Sequence, residues 1–116
     1  MAEEDDRRPR LLGGDPLCGF PFTTQLVIDV LDALPRVTSP ESLAAIRKDF
    51  PIYVFSGERD PVGANIQGLI GDLKTAGFTR LTTRIYPGAR HETLNETNRD
   101  EVTRDLIAWL DGLGPA

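Results

Sequence analysis

The feature that most constrains this chain is the apolar run Ile52-Tyr53-Val54-Phe55. Four consecutive large β-forming residues leave no polar face, so the segment reads as a strand covered on both sides. It stops at Ser56-Gly57-Glu58-Arg59-Asp60-Pro61, a polar turn. Ile66, Leu69, Ile70 and Leu73 then recur at helical spacing, and Gly77 stands where a left-handed C-cap is wanted. Leu81, Thr83 and Ile85 alternate with Arg80, Thr82 and Arg84, which predicts a second strand with one polar face, suited to a sheet edge. After the loop Tyr86–His91, Asn98 and Glu101 have capping-box spacing. They open a helix with Val102, Leu106, Trp109, Leu110 and Leu113 inward, ending at Gly112 or Gly114. Strand–helix–strand–helix over 52–113 is a βαβα unit with parallel strands, the pattern of an α/β fold.

Upstream the chain is helical and chemically quiet. Leu26, Val27, Val30, Leu31 and Leu34 form one face of a helix with Asp29 and Asp32 opposite, Thr23 or Thr24 as N-cap, and Pro35 as its end. Ser39 followed by Pro40 is an N-cap with proline at the first helical position, so Leu43, Ala44 and Ile46 belong to a short second helix. Residues 1–14, with Glu3, Glu4, Asp5 and Asp6 against Arg7, Arg8 and Arg10, read as a disordered charged tail. Two parallel strands do not make a stable sheet, and the helices at hand would cover one face while Ile52–Phe55 asks for two. The strand edge left open invites self-association or a partner chain.

Composition removes several classes. Thirteen Lys and Arg against 18 Asp and Glu give a net charge of −5, which argues against a nucleic-acid partner. No apolar run approaches the roughly 20 residues of a transmembrane segment, and Met1–Arg10 lacks the apolar core of a signal peptide. A single cysteine, Cys18, permits no intrachain disulfide and points to a cytoplasmic setting. One His and one Cys are too few for a zinc site, and no Gly-Lys-Ser/Thr phosphate loop occurs, so neither metal nor cofactor is expected.

Chemistry in parallel sheets gathers beyond the carboxyl ends of the strands. Asp60 follows the first strand and His91 the second. Neighbouring strands lie about 4.8 Å apart, so the two loops can bring a carboxylate to an imidazole. Such a carboxylate accepts Nδ1–H, fixes the tautomer and stabilises the cation formed when Nε2 takes a proton. From spacing alone the alternative stands beside this one: Asp-Pro is a common turn opener, and a lone loop histidine often serves the surface. Asn95-Glu96-Thr97 has the form of a glycosylation acceptor, a chance match without a signal peptide.

Pro51-Ile-Tyr-Val-Phe-Ser-Gly-Glu-Arg-Asp-Pro-Val62 and Tyr86-Pro-Gly-Ala-Arg-His-Glu92 resemble the last third of an α/β-hydrolase. The nearest likeness is to the monoacylglycerol lipase/lysophospholipase branch, the serine aminopeptidase S33-like group. The resemblance implies that Asp60 is the triad acid and His91 the triad base. It implies further that residues 15–50 are the exit from a cap region and 51–116 the last two strands and helices of a partial α/β-hydrolase domain. The substrate implied is a small acyl ester. The family's nucleophile lies in Gly-x-Ser-x-Gly on a strained elbow beside an oxyanion hole, and this sequence contains neither. Of its three serines, Ser39 and Ser42 belong to the second helix, and Ser56 shares a strand end with Asp60. Cys18 has no preceding strand to form an elbow. The expectation is a C-terminal fragment of a serine ester hydrolase, inactive alone. A non-catalytic α/β module that pairs with a partner chain is the alternative.

Overall fold

A computed structural model describes residues 21–114. The charged segment 1–14, the loop 15–20 and Cys18 lie outside them. Helix α1 (Thr24–Val37) and the short α2 (Pro40–Ala44) lead into strand β1 (Ile52–Gly57). Helix α3 (Ile66–Thr75), strand β2 (Leu81–Tyr86), a 3₁₀ turn at Thr93–Asn95 and helix α4 (Arg99–Asp111) follow. β1 and β2 pair in parallel, Ile52 opposite Leu81 through Gly57 opposite Tyr86. The βαβα order is therefore as the periodicities predict, and helices flank the strands on both sides.

The period-2 rule sorts each strand's side chains onto two faces. Ile52, Val54 and Leu81 pack on a cluster of Leu43, Leu73 and Phe78, supplied by α2, by α3 and by the residues after it. Phe55 packs on the other side against Tyr86, Ala89 and Val102, the last completely buried in α4. Tyr53 stacks between Phe55 and Trp109 with ring centroids 5.4 and 5.2 Å away. Both faces of β1 thus receive cover, where one was expected. α4 crosses the polar face of β2 and brings Asp105 to 3.5 Å from the Arg84 guanidinium. Arg80, Thr82 and Arg84 on that face remain exposed, as the polar pattern predicts.

Local sequence accounts for most helix ends. The Thr23 hydroxyl accepts the Leu26 amide, and the Ser39 hydroxyl accepts the Ser42 amide ahead of Pro40. At the end of α3, Gly77 takes φ +87, a region that costs any Cβ-bearing residue steric strain. The Gly77 amide donates to the Lys74 carbonyl and the Phe78 amide to the Leu73 carbonyl. This is a Schellman closure, and the pair Leu73 and Phe78 is buried in the same cluster.

Three details depart from expectation. α1 continues past Pro35 to Val37, because a proline this near the end deprives only the last turn of a hydrogen bond. Asn98 makes no side-chain cap: its backbone sits at φ −95, ψ 19 instead of extended, as the chain enters α4 from a preceding turn. Leu110 points outward, half exposed, while Leu106, Trp109 and Leu113 are partly covered. The apolar face of α1 also has nothing on it among the described residues. Leu26, Val27, Val30, Leu31 and Leu34 are each exposed by 45% or more.

Candidate active site

The two parallel strands end side by side, and their following loops meet at one rim. Gly57, the last residue of β1, makes the meeting possible. A Cβ there would fall 2.2 Å from the Arg90 carbonyl oxygen and 2.3 Å from that of Ala89. The bare backbone lets the second loop lie against the first. The Arg59 amide then donates to the Ala89 carbonyl at 2.9 Å, and the Glu58 carboxylate accepts the Gly88 amide at 2.9 Å. Gly88 has φ +73, so the turn after Pro87 needs glycine as well.

Asp60 and His91 are brought together by this scaffold. Nδ1 of His91 lies 3.1 Å from Asp60 Oδ2 and 3.2 Å from Oδ1. The Asp60 side chain is 8% exposed, whereas His91 is 43% exposed. Burial alone would raise the Asp60 carboxyl. Hydrogen bonds from His91 and from the Val62 and Gly63 amides outweigh it and hold the group below its ordinary value. The Val62 amide reaches Oδ1 at 2.8 Å. Gly63 can approach only because it has no side chain: a Cβ would sit 2.9 Å from Asp60 Oδ2 and 2.6 Å from Ser56 Oγ.

An ionised carboxylate accepts and cannot donate, so the shared proton belongs to Nδ1. That leaves Nε2 of the neutral ring as a lone-pair base on the more exposed side of the pair. The arrangement can take a proton at Nε2 and stabilise the resulting imidazolium through Asp60.

No serine joins the pair. The Ser39 and Ser42 hydroxyls bond to one another, and Ser42 also donates to the Arg36 carbonyl at 2.6 Å. Ser56 is buried and donates to the Gly57 carbonyl at 3.3 Å. Asn95, in the glycosylation-like triplet, donates its side-chain amide to Glu92 Oε2 at 2.7 Å. No group of three or more His, Cys, Asp or Glu among the described residues is placed to hold a metal ion. No described helix is long and apolar enough to cross a membrane.

Sequence reasoning passed over several residues that build the rim. Glu96 is the foremost, a carboxylate 1% exposed whose Oε1 accepts the Arg90 amide at 2.7 Å. Its only sequence signal is an acidic residue shortly after the histidine. Under the rim, Tyr86 donates its hydroxyl to Asp105 Oδ2 at 2.9 Å, and Tyr53 donates in turn to the Tyr86 oxygen at 3.4 Å. Burial, with Tyr53 and Asp105, pushes the Tyr86 hydroxyl far above its ordinary value, so it stays a neutral donor. This network ties α4 to the last residue of β2, directly before the histidine loop.

Comparison with known proteins decides the family. A model of the serine aminopeptidase S33 family matches residues 1–98. The chain belongs to that family of α/β-hydrolases. Among solved structures, a highly thermostable carboxyl esterase from Bacillus coagulans, determined in complex with glycerol, is similar at a TM-score of 0.77 and 25% identity. The match takes in 90% of this chain and 36% of the esterase, so this S33-family chain spans well under half of that relative. The α/β-hydrolase assignment and the parallel βαβα architecture agree.

Proposed function

We propose that the chain supplies the acid–base half of a serine ester hydrolase, with Asp60 orienting and His91 moving the proton. The observation that carries this is the Nδ1 to carboxylate contact at 3.1 Å where two parallel strands end together. His91 Nε2 takes the proton of a serine hydroxyl as that oxygen attacks the acyl carbonyl, and Asp60 stabilises the imidazolium. Nε2–H then protonates the departing alcohol, and the same nitrogen activates water for deacylation. The serine and the oxyanion donors come from polypeptide outside this sequence, residues 51–116 being the last two strands and helices and 15–50 the exit from a cap. Small acyl esters of the monoglyceride or lysophospholipid kind are the substrate class, an inference from the likeness to the lipase branch. A cytoplasmic setting belongs to the same reading and rests on the single cysteine.

Among the described residues no serine is positioned on the pair, and on this reading the nucleophile and oxyanion donors, which supply most of the rate enhancement, are not in this chain. Incubated with a short-chain aryl ester, the 116-residue chain is expected to match its His91→Ala variant, both at the buffer rate. Hydrolysis lost on His91→Ala would sink the divided-site reading and return Ser56 and Cys18 to consideration. Hydrolysis untouched by His91→Ala would remove His91 from the chemistry.

A second reading has its own observation. Among the described residues β1 has one unpaired edge and α1 an exposed apolar face, which suit a non-catalytic module that pairs with a partner chain. Association with a partner that leaves ester hydrolysis absent would favour it.

A further inference from the structure

We infer that Glu96 is a positioning residue for His91: its buried carboxylate holds the Arg90 amide and so fixes the loop that presents the imidazole to Asp60. The inference rests on reading Asp60 and His91 as an acid–base pair.

Glu96 is 1% exposed, and its Oε1 accepts the Arg90 N–H at 2.7 Å. Arg90 immediately precedes His91, so this bond fixes the Ala89–Arg90 peptide, one plane before the peptide that enters His91. Of two other ties in the loop, Gly88 to Glu58 lies further back toward β2, while the Arg59 amide holds the carbonyl of the same Ala89–Arg90 peptide. Glu96 thus holds the N–H edge of the peptide whose carbonyl Arg59 holds. Its own backbone is anchored by the following turn, where the Arg99 amide donates to the Glu96 carbonyl at 3.1 Å.

Oε2 of Glu96 is buried and has no hydrogen-bond partner among the described residues. A buried polar atom left unpaired is destabilising, so an apolar side chain of similar volume would pack this position better. Packing therefore does not account for Glu96. What an apolar residue cannot supply is an acceptor for the Arg90 amide.

Two near-isosteric substitutions separate acceptor from volume. Glu96→Gln keeps a carbonyl oxygen at the same reach, while Glu96→Met fills the space and offers no comparable acceptor. The readout is the tautomer of the neutral imidazole, from long-range proton–nitrogen correlation spectra of the full ¹⁵N-labelled chain. His91 is the single histidine, so its signals need no assignment. The wild type and Glu96→Gln are expected to hold the Nδ1–H form. Glu96→Met is expected to drift toward the Nε2–H form that free neutral histidine prefers, while the remaining amide dispersion shows a folded chain.

A folded Glu96→Met variant with the wild-type tautomer would overturn the inference. Should Glu96→Met not fold, Glu96→Leu takes its place as the acceptor-free variant, with the same two outcomes, and loss of the wild-type tautomer in Glu96→Gln would also defeat the inference. No substrate is needed, so this result is independent of the ester-hydrolysis assay. A wild type already in the Nε2–H form would count against the Asp60–His91 pair itself.

Discussion

Asp60 holds its place through three partners that no single-residue pattern reveals: an imidazole from another loop and two amides from its own turn. Asp-Pro at a strand end was legible, as was a histidine after the next strand. The glycines that let them meet were not. Gly57 and Gly63 matter because a neighbour occupies the space of a Cβ, a fact about distant chain and not about local propensity. The depressed Asp60 value has a consequence for stability. A carboxyl whose folded value lies below its unfolded one contributes stability above the unfolded value, about pH 4, and loses it as pH falls through the folded value. Urea midpoints of wild type and Asp60→Asn, compared from neutral pH down past 4, test this. The variant is expected to be weaker by about 1–2 kcal/mol at neutral pH, with the gap closing in acid, since charge-assisted bonds of this kind contribute about that much. A gap that stayed constant would mean that the ionised form is not specifically favoured.

Among the elements, the helix ends divide by how local their causes are. Thr23, Ser39–Pro40 and Gly77 act within a few residues, and all three sequence signals correspond to the caps observed. Asn98 has the right spacing for a capping box yet forms none, because the turn before it imposes a backbone that aims its side chain elsewhere. Gly77→Ala tests the local kind. At φ +87 a Cβ costs about 1–2 kcal/mol. The variant should therefore lower the urea midpoint by that equivalent, with Asp60–His91 signals unchanged. An unshifted midpoint would mean that the α3 terminus is not held in this closure. Trp109 and Leu110 show the limit of helical periodicity. Trp109 meets Tyr53 and is partly covered, while Leu110 has no cover among the described residues and stays half exposed.

Among the described residues two small clusters lie on either side of a two-stranded sheet, with a long helix whose apolar face is largely exposed. An open face of that kind favours association. Leu31→Glu with Leu34→Glu is expected to leave stability within about 0.5 kcal/mol, since both are already exposed, while removing concentration-dependent sedimentation of the chain. Loss of the fold would show that α1 is packed after all, and unchanged association would move the contact to the β1 edge. Element type and order and the parallel class follow from sequence because they depend on period, turn chemistry and strand-end position, whereas singling out Asp60 and His91 as a pair needed the family resemblance. Tertiary structure alone decided which helix covers which face, that α1 joins neither cluster among the described residues, and that Glu96 sits buried beneath the histidine loop. Those outcomes depend on where backbone from distant residues leaves room, and no local pattern encodes the shape of a space between two loops.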